Sequence, residues 1–216
     1  MASIEGGEVL LAAASLYWLP DLLHRFRIQH PSVHFQLLQR PLAEMADRLE
    51  IGTCDFCFQS IPLLKAGIEW QPLLTEDIVL IVSFAHQLAK RKQIPLTAVA
   101  EEAVVIEQVG NGLRDLVDHF CHQAGFTPRI VCEVDEPAAL YEFVKADIGV
   151  AFAPALMEKQ ITAYGLKALH LTNPKCQRTF GMAWHQERYR SQAAYVFQQF
   201  VITYFAEIRN QRASKL

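Results

Sequence analysis

Hydrophobic positions in this chain follow two periods in turn. Val9-Leu10-Leu11-Ala12-Ala13-Ala14 is an unbroken apolar run. It has no wet face, so it predicts a strand of a parallel sheet covered on both sides. Leu19, Leu22, Leu23 and Phe26 then recur at helical spacing behind Pro20 and Asp21. Proline lacks the N–H that a first turn leaves unpaired, and an acid suits the positive end of a helix. Pro31 ends this helix, and Val33, Phe35 and Leu37 alternate as the next strand. The unit is strand, crossover helix, strand.

The same grammar continues. Leu42, Met45, Ala46 and Leu49 make a short amphipathic helix that Gly52 ends. Residues 54–58 read as a buried strand, and residues 68–74 and 77–83 as two more, separated by the polar Thr75-Glu76-Asp77. Residues 84–93 are polar and basic, a connector. A second run follows: a strand at 103–106, a loop at 107–112, a helix carrying Leu113, Leu116, Val117, Phe120 and Ala124, and a stop at Gly125. Strands at 130–134, 148–152, 166–171 and 179–184, a helix opened by Pro137 and a last helix at about 189–209 complete it. Strand and helix alternate in two runs, which predicts an α/β protein of two small lobes.

Composition narrows the function. A net charge of −3, with no basic run longer than Lys90-Arg91-Lys92, is a poor footprint for direct contact with DNA or an acidic membrane. No apolar stretch approaches the ~20 residues of a membrane span, and Met1 to Gly7 is short, polar and acidic, unlike a secretory leader. Five cysteines without framework spacing suggest a reducing, cytoplasmic setting. Ser214-Lys215-Leu216 matches a peroxisomal address of only three residues. Cys54-x-x-Cys57 has redox or zinc spacing, but in a strand residues three apart face opposite ways, and no second pair completes four ligands. His119, Cys121 and His122 share a helix but put only two ligands on a face. Neither a nucleophile elbow nor a phosphate loop occurs, so no catalytic residue, metal or cofactor is assigned.

Several pieces, in order, resemble the effector-binding domain of LysR-type transcriptional regulators: Leu19-Pro20 with Leu22-Leu23 and Phe26, then His30-Pro31; Leu49-Glu50-Ile51-Gly52-Thr53-Cys54-Asp55-Phe56; residues 78–82 with His86 and Leu88; Gly112-Leu113-Arg114; and residues 143–151 with Pro154. Gln87 and Asp147 depart from the family's usual proline and glycine. The resemblance implies a fold like type 2 periplasmic binding proteins: two Rossmann-like lobes joined by two crossover strands. The crossings are placed near Ser83 and Phe180, giving lobe I at 7–82 and 180–209 and lobe II at 83–179, all within one effector-binding domain over 1–216. The family's N-terminal winged helix-turn-helix is not recognised in this chain. A small polar metabolite, an organic acid or amino-acid-like effector, is expected in the inter-lobe cleft. It would shift lobe angle or the geometry of a homodimer or higher oligomer, and DNA would be met only through the missing domain. The helices after Arg40 and after Gly112 are the candidate dimer contacts.

In such a fold, strand ends and helix starts line the ligand site. That nominates Ser15, Leu16, Tyr17, Arg40, Gln59 and Ser60 from the first lobe, and Ser83, Gln108, Asn111, Asp135, Glu136 and Ala153 from the second. Ser15 either binds an anion with the N–H groups behind it or caps its own helix. Gly110 and Gly112 allow a backbone nest or a plain turn with a helix cap. Arg40 is a counter-charge or a solvated side chain. Asp135 and Glu136 either cap the next helix or select against a simple dianion. Two other functions fit the same lobes: an extracytoplasmic solute receptor, and an enzyme acting on a small acid with Asp135, Glu136 and Tyr17 as its acid/base groups.

Overall fold

A computed structural model describes residues 6–13, 16–40, 42–63, 65–136 and 138–213. In chain order the elements are β1 (Gly7–Ala13), α1 (Leu19–Gln29), β2 (Val33–Gln39), α2 (Leu42–Ile51), β3 (Phe56–Gln59), β4 (Ile68–Ser83), β5 (Gln93–Pro95), β6 (Ala103–Glu107), α3 (Gly112–Gln123), β7 (Arg129–Val134), α4 (Ala139–Lys145), β8 (Ala151–Pro154), α5 (Glu158–Ala163), β9 (Leu166–Thr172), β10 (Gln177–His185) and α6 (Gln192–Ala213). They form two compact units, Met1–Leu74 with Thr179–Leu216, and Thr75–Arg178. The fold is α/β, and β4 and β10 are the two strands that run from one unit into the other.

In the first unit β1 is central and parallel to both β2 and β3, as an all-apolar run should be. β10 closes the order antiparallel to β3. One face of the sheet carries α1 and α6. There Phe26 is fully buried, edge-on to Phe35, Phe197 and Phe200, and Trp18 packs on Phe58, Phe180 and Phe205. On the other face Met45 and Leu49 of α2 pack on Ala12, Cys57 and Ala183. Offset and edge-on aromatic pairs stabilise beyond the area they bury.

In the second unit β4 is flanked by β8 and β9, both antiparallel to it, and β5 runs parallel to β9. β6 and β7 form a parallel pair, joined to the residue before β8 by a bridge between Val104 and Val150. Leu80, Val82, Val104, Val117, Phe152 and Leu169 lie in its core. Gly149 sits where a side chain will not fit, since a Cβ there would be 2.5 Å from the Ala103 carbonyl oxygen.

The sequence predicts two strands broken at Thr75-Glu76-Asp77; the structure has one strand of 16 residues. The polar triplet is no turn, because its side chains bind the returning strand. Glu76 accepts from Arg178 Nε at 3.0 Å and Nη2 at 2.8 Å through Oε1, and from the Leu156 N–H at 2.8 Å through Oε2. Asp77 accepts from Gln177 Nε2 at 2.8 Å. The crossing therefore lies between Leu74 and Thr75, eight residues before the expected position at Ser83, while the return lies between Arg178 and Thr179. The connector at 84–93 also contains a short 3₁₀ turn (Gln87–Lys90) and the start of β5.

Both side chains of the Glu76–Arg178 pair are buried, 0% and 7% exposed. Removing one partner leaves an uncompensated buried charge. Arg178→Ala is expected to destabilise the chain by about 3–5 kcal/mol, read as a lowered urea midpoint. Gly149→Ala is expected to cost about 1–3 kcal/mol in the same measurement, because backbone rather than a mobile side chain must give way.

Candidate functional site

The carboxyl ends of the first unit's strands meet at one edge by register: Ala13 is paired with Gln39 on one side and with Phe58 on the other. The turn after β1 presents Leu16 and Tyr17, both half-buried; Ser15 lies outside the described residues. Arg40 follows β2 and is exposed. Its N–H donates to the Ala13 carbonyl at 3.1 Å and its Nη1 to the Gln39 carbonyl at 2.8 Å, with Glu44 3.8 Å from its Nε. That acid already partly neutralises it.

Gln59 is the residue that stands out. It ends β3, is 4% exposed, and neither its Nε2 nor its Oε1 has a hydrogen-bond partner among the described residues. Leaving a buried amide unpaired costs about 1–3 kcal/mol per group. Directly opposite in the antiparallel ladder is Gly181, whose missing side chain would share Gln59's face of the sheet. A Cβ there would lie 2.4 Å from the Trp70 ring, so glycine is what lets that indole in. Trp70 Nε1 is also buried without a partner among the described residues. Gly181 thus has an orphaned amide on one side and an orphaned indole N–H against its Cα. Ser60, next along, is half-buried.

In the second unit β6 ends at Glu107, which is 6% exposed. Burial pushes its carboxyl up to about 7, against the opposing pull of the Arg178 guanidinium. Arg114 of α3 fixes this strand end, donating from Nη1 to the Glu107 carbonyl at 2.9 Å and to Glu133 at 2.6 Å, and from Nε to Asp118 at 2.7 Å. Tyr141 of α4 is buried and stacks on Tyr164 at 4.9 Å; burial raises its phenol, with Tyr164 and Glu107 adding to the rise. Asn111 caps α3 by accepting from the Leu113 N–H at 3.0 Å, the plain alternative to a nest. Gln108 is exposed and donates its backbone N–H to the Val134 carbonyl.

Asp135 and Glu136 are exposed, and among the described residues α4 has no side-chain cap, so the capping role expected of them is not made; Glu136 supplies its carbonyl to the Ala139 N–H. Ala153 is buried within β8, paired with Val79. Ser83 needs a correction. It is not on a crossing; it ends β4 some eight residues inside the second unit, about 26 Å of extended strand beyond the crossing. There its hydroxyl donates to Asp147 at 3.0 Å.

The Cys54–Cys57 reading is also overturned. Gly52 closes α2 at φ +76°, the Thr53 N–H returns to the Arg48 carbonyl, and the strand starts only at Phe56. Cys54 is therefore in the turn, and its sulfur comes within 3.4 Å of Cys57 Sγ. No group of three or more metal-ligating side chains occurs among the described residues, and no described helix is long and apolar enough to cross a membrane. Glu107, Tyr141, Glu76 and Arg178 escaped the sequence reading. The one signal available was a charge closing or interrupting an apolar run, which reads equally well as a loop.

Comparison with known proteins fits this geometry. Over 189 residues the chain is 32% identical to the HTH-type transcriptional regulator YybE of Bacillus subtilis (strain 168), covering 88% of this chain and 64% of that protein. It is 27% identical to the transcriptional dual regulator GltC of the same organism, with the same two coverages. The chain thus spans a little under two thirds of the length of these relatives. Among solved structures, the effector binding domain of QuiR in complex with shikimate superposes with a TM-score of 0.82 at 25% identity, over 94% of this chain and 99% of that one. The regulatory domain of Synechocystis PCC6803 CcmR in complex with 2-PG shares the fold, with a TM-score of 0.81 at 21% identity over 92% and 97%. Residues 5–206 match the model of the LysR substrate binding domain, and the chain belongs to that family.

Proposed function

We propose that this chain is the ligand-sensing part of a LysR-type transcriptional regulator and that it binds a small polar metabolite without transforming it. The observation that carries the reading is the orphaned amide of Gln59 at the strand-end edge of the first unit, a donor and an acceptor held out of water with no partner among the described residues. A guest with hydroxyl or carboxyl groups supplies both partners. Glu107 supports the same class from the second unit, because near neutrality it keeps a proton to donate. Transcriptional regulators among the relatives, and the shikimate held by the QuiR domain, support the regulatory and small-molecule parts of the proposal. Self-association through α2 or α3, and DNA contact through a segment this chain does not span, belong to the same reading.

The experiment is a thermal-shift screen led by shikimate, 2-PG and amino acids, followed by calorimetry on each hit. A ligand at 100 times its Kd stabilises by about 2.7 kcal/mol. Gln59→Leu keeps the bulk of the side chain and removes the amide. It is expected to stabilise the unliganded chain by about 1–3 kcal/mol and to abolish the ligand shift. A hit that persists in Gln59→Leu removes Gln59 from the site.

Glu107 gives a second signature. Its carboxyl is raised from an ordinary 4.5 to about 7, so between those values the folded chain holds a proton that the unfolded chain has lost. Stability from this group is retained at low pH and falls as pH rises through about 7. Glu107→Gln is expected to flatten that slope, gaining stability over the parent at pH 8 and little at pH 5, read from urea midpoints across the range.

A further inference from the structure

We propose that Cys54 and Cys57 form a reversible intramolecular disulfide, a two-electron oxidation site in the first unit that responds to peroxide. The two sulfurs are already 3.4 Å apart, and a disulfide at about 2.05 Å needs only about 1.3 Å of further approach. Cys54 sits in the turn between α2 and β3, directly after the exposed Ile51, Gly52 and Thr53. Opening of that turn exposes it without unfolding the sheet. Cys57 is fixed in β3, fully buried, with the Met45 carbonyl 3.5 Å from its sulfur.

The order of events follows from this placement. The thiolate of Cys54 attacks one oxygen of hydrogen peroxide; the O–O bond breaks, leaving a sulfenic acid on Cys54 and hydroxide, which takes a proton and departs as water. Cys57 sulfur then attacks Cys54 sulfur, the S–O bond breaks, and the departing hydroxide takes the Cys57 proton as a second water. Two thiols lose two electrons and two protons, and one peroxide becomes two waters. Cys57 takes the second role by placement: it is the more deeply buried of the two, with the Cys54 sulfur 3.4 Å away, and its thiol keeps its proton because the hydrogen bond with Cys54 and burial hold it up, with Arg48 pulling the other way. Arg48 Nε is itself buried without a partner among the described residues.

The pair is wired into the strand-end edge. Asp55, between the two cysteines, is clamped to Leu10 of β1 by two bonds of 2.8 Å, one from each backbone N–H. Cys57 lies two residues before Gln59, on the same face of the same strand. Any effect of the disulfide on ligand binding rests on the function proposed above; the disulfide itself does not.

The test treats the folded, reduced chain with hydrogen peroxide, then counts thiols under denaturing conditions and maps them by mass spectrometry. The expected count falls from five to three, with one bridged peptide holding Cys54 and Cys57, two hydrogens lighter, restored by dithiothreitol. Cys54→Ser is expected to form no bridged peptide, and oxidation of the parent is expected to speed hydrogen exchange at the Leu10 amide. Five free thiols after peroxide, bridging only once urea has unfolded the chain, or loss confined to Cys121, Cys132 or Cys176 overturns the proposal. None of these outcomes depends on a ligand, so they leave the effector reading intact.

Discussion

One buried ion pair conditions the architecture. Glu76 and Arg178 stand on the two strands that carry the chain from one unit to the other and back, and each is almost wholly withdrawn from water. Withdrawing two charges is unfavourable unless every lone pair and proton finds a partner in good geometry. Here the Glu76 carboxylate meets two guanidinium nitrogens and the Leu156 N–H. An apolar pair of similar volume would often be as stable, but it would tolerate sliding of one strand along the other. A charge pair with directional bonds does not, so it fixes which residues of β4 and β10 lie abreast. Asp77 and Gln177 add a second bond in the same register.

Arg178 also bears on the second unit's strand-end chemistry. Its positive charge is the influence that opposes the rise of the Glu107 carboxyl, and burial wins. Its Nε and Nη2 are committed to Glu76, and its charge also pulls on the Glu107 carboxyl. The strand end therefore keeps a proton near neutrality in a setting where a lone acid would be a simple anion. The first unit reaches a similar poise without charge: Gln59 and Trp70 present polar groups around Gly181, where a larger residue would close the space. The first unit's end is a small departure from the rule that buried polar groups are satisfied, and such departures concentrate where a protein meets something else.

The turn after α2 illustrates how a local choice reshapes chemistry. Had β3 begun at Cys54, the two thiols would have faced opposite sides of the sheet. Gly52 in the left-handed region and the return of the Thr53 N–H to Arg48 use up two more residues on the helix end. The chain then swings Cys54 underneath, where it joins Cys57 and Met45 in one cluster. The same few residues anchor β1 through Asp55, so the thiol pair, the central strand and the Gln59 edge share one short stretch of backbone.

Much of this protein was legible from sequence. The all-apolar run of β1, the helical stripe of α1 and the alternating elements after Ala103 imposed the α/β class, because periodicity reports directly which face of an element leaves water. Gln59 at a strand end was likewise readable from position, whereas Asn111, nominated for the ligand site, caps α3, the plain alternative given for its loop. The errors share a cause. Thr75-Glu76-Asp77 read as a break, Ser83 as a crossing residue and Glu107 as loop, because polarity in a strand is ambiguous until its partner is known. That partner lies 102 residues away for Glu76, and no local pattern encodes it. Sequence determined which segments bury themselves; only tertiary structure decided which polar groups were paired and which were left waiting, because satisfaction of a buried charge or amide depends on atoms brought together from distant parts of the chain.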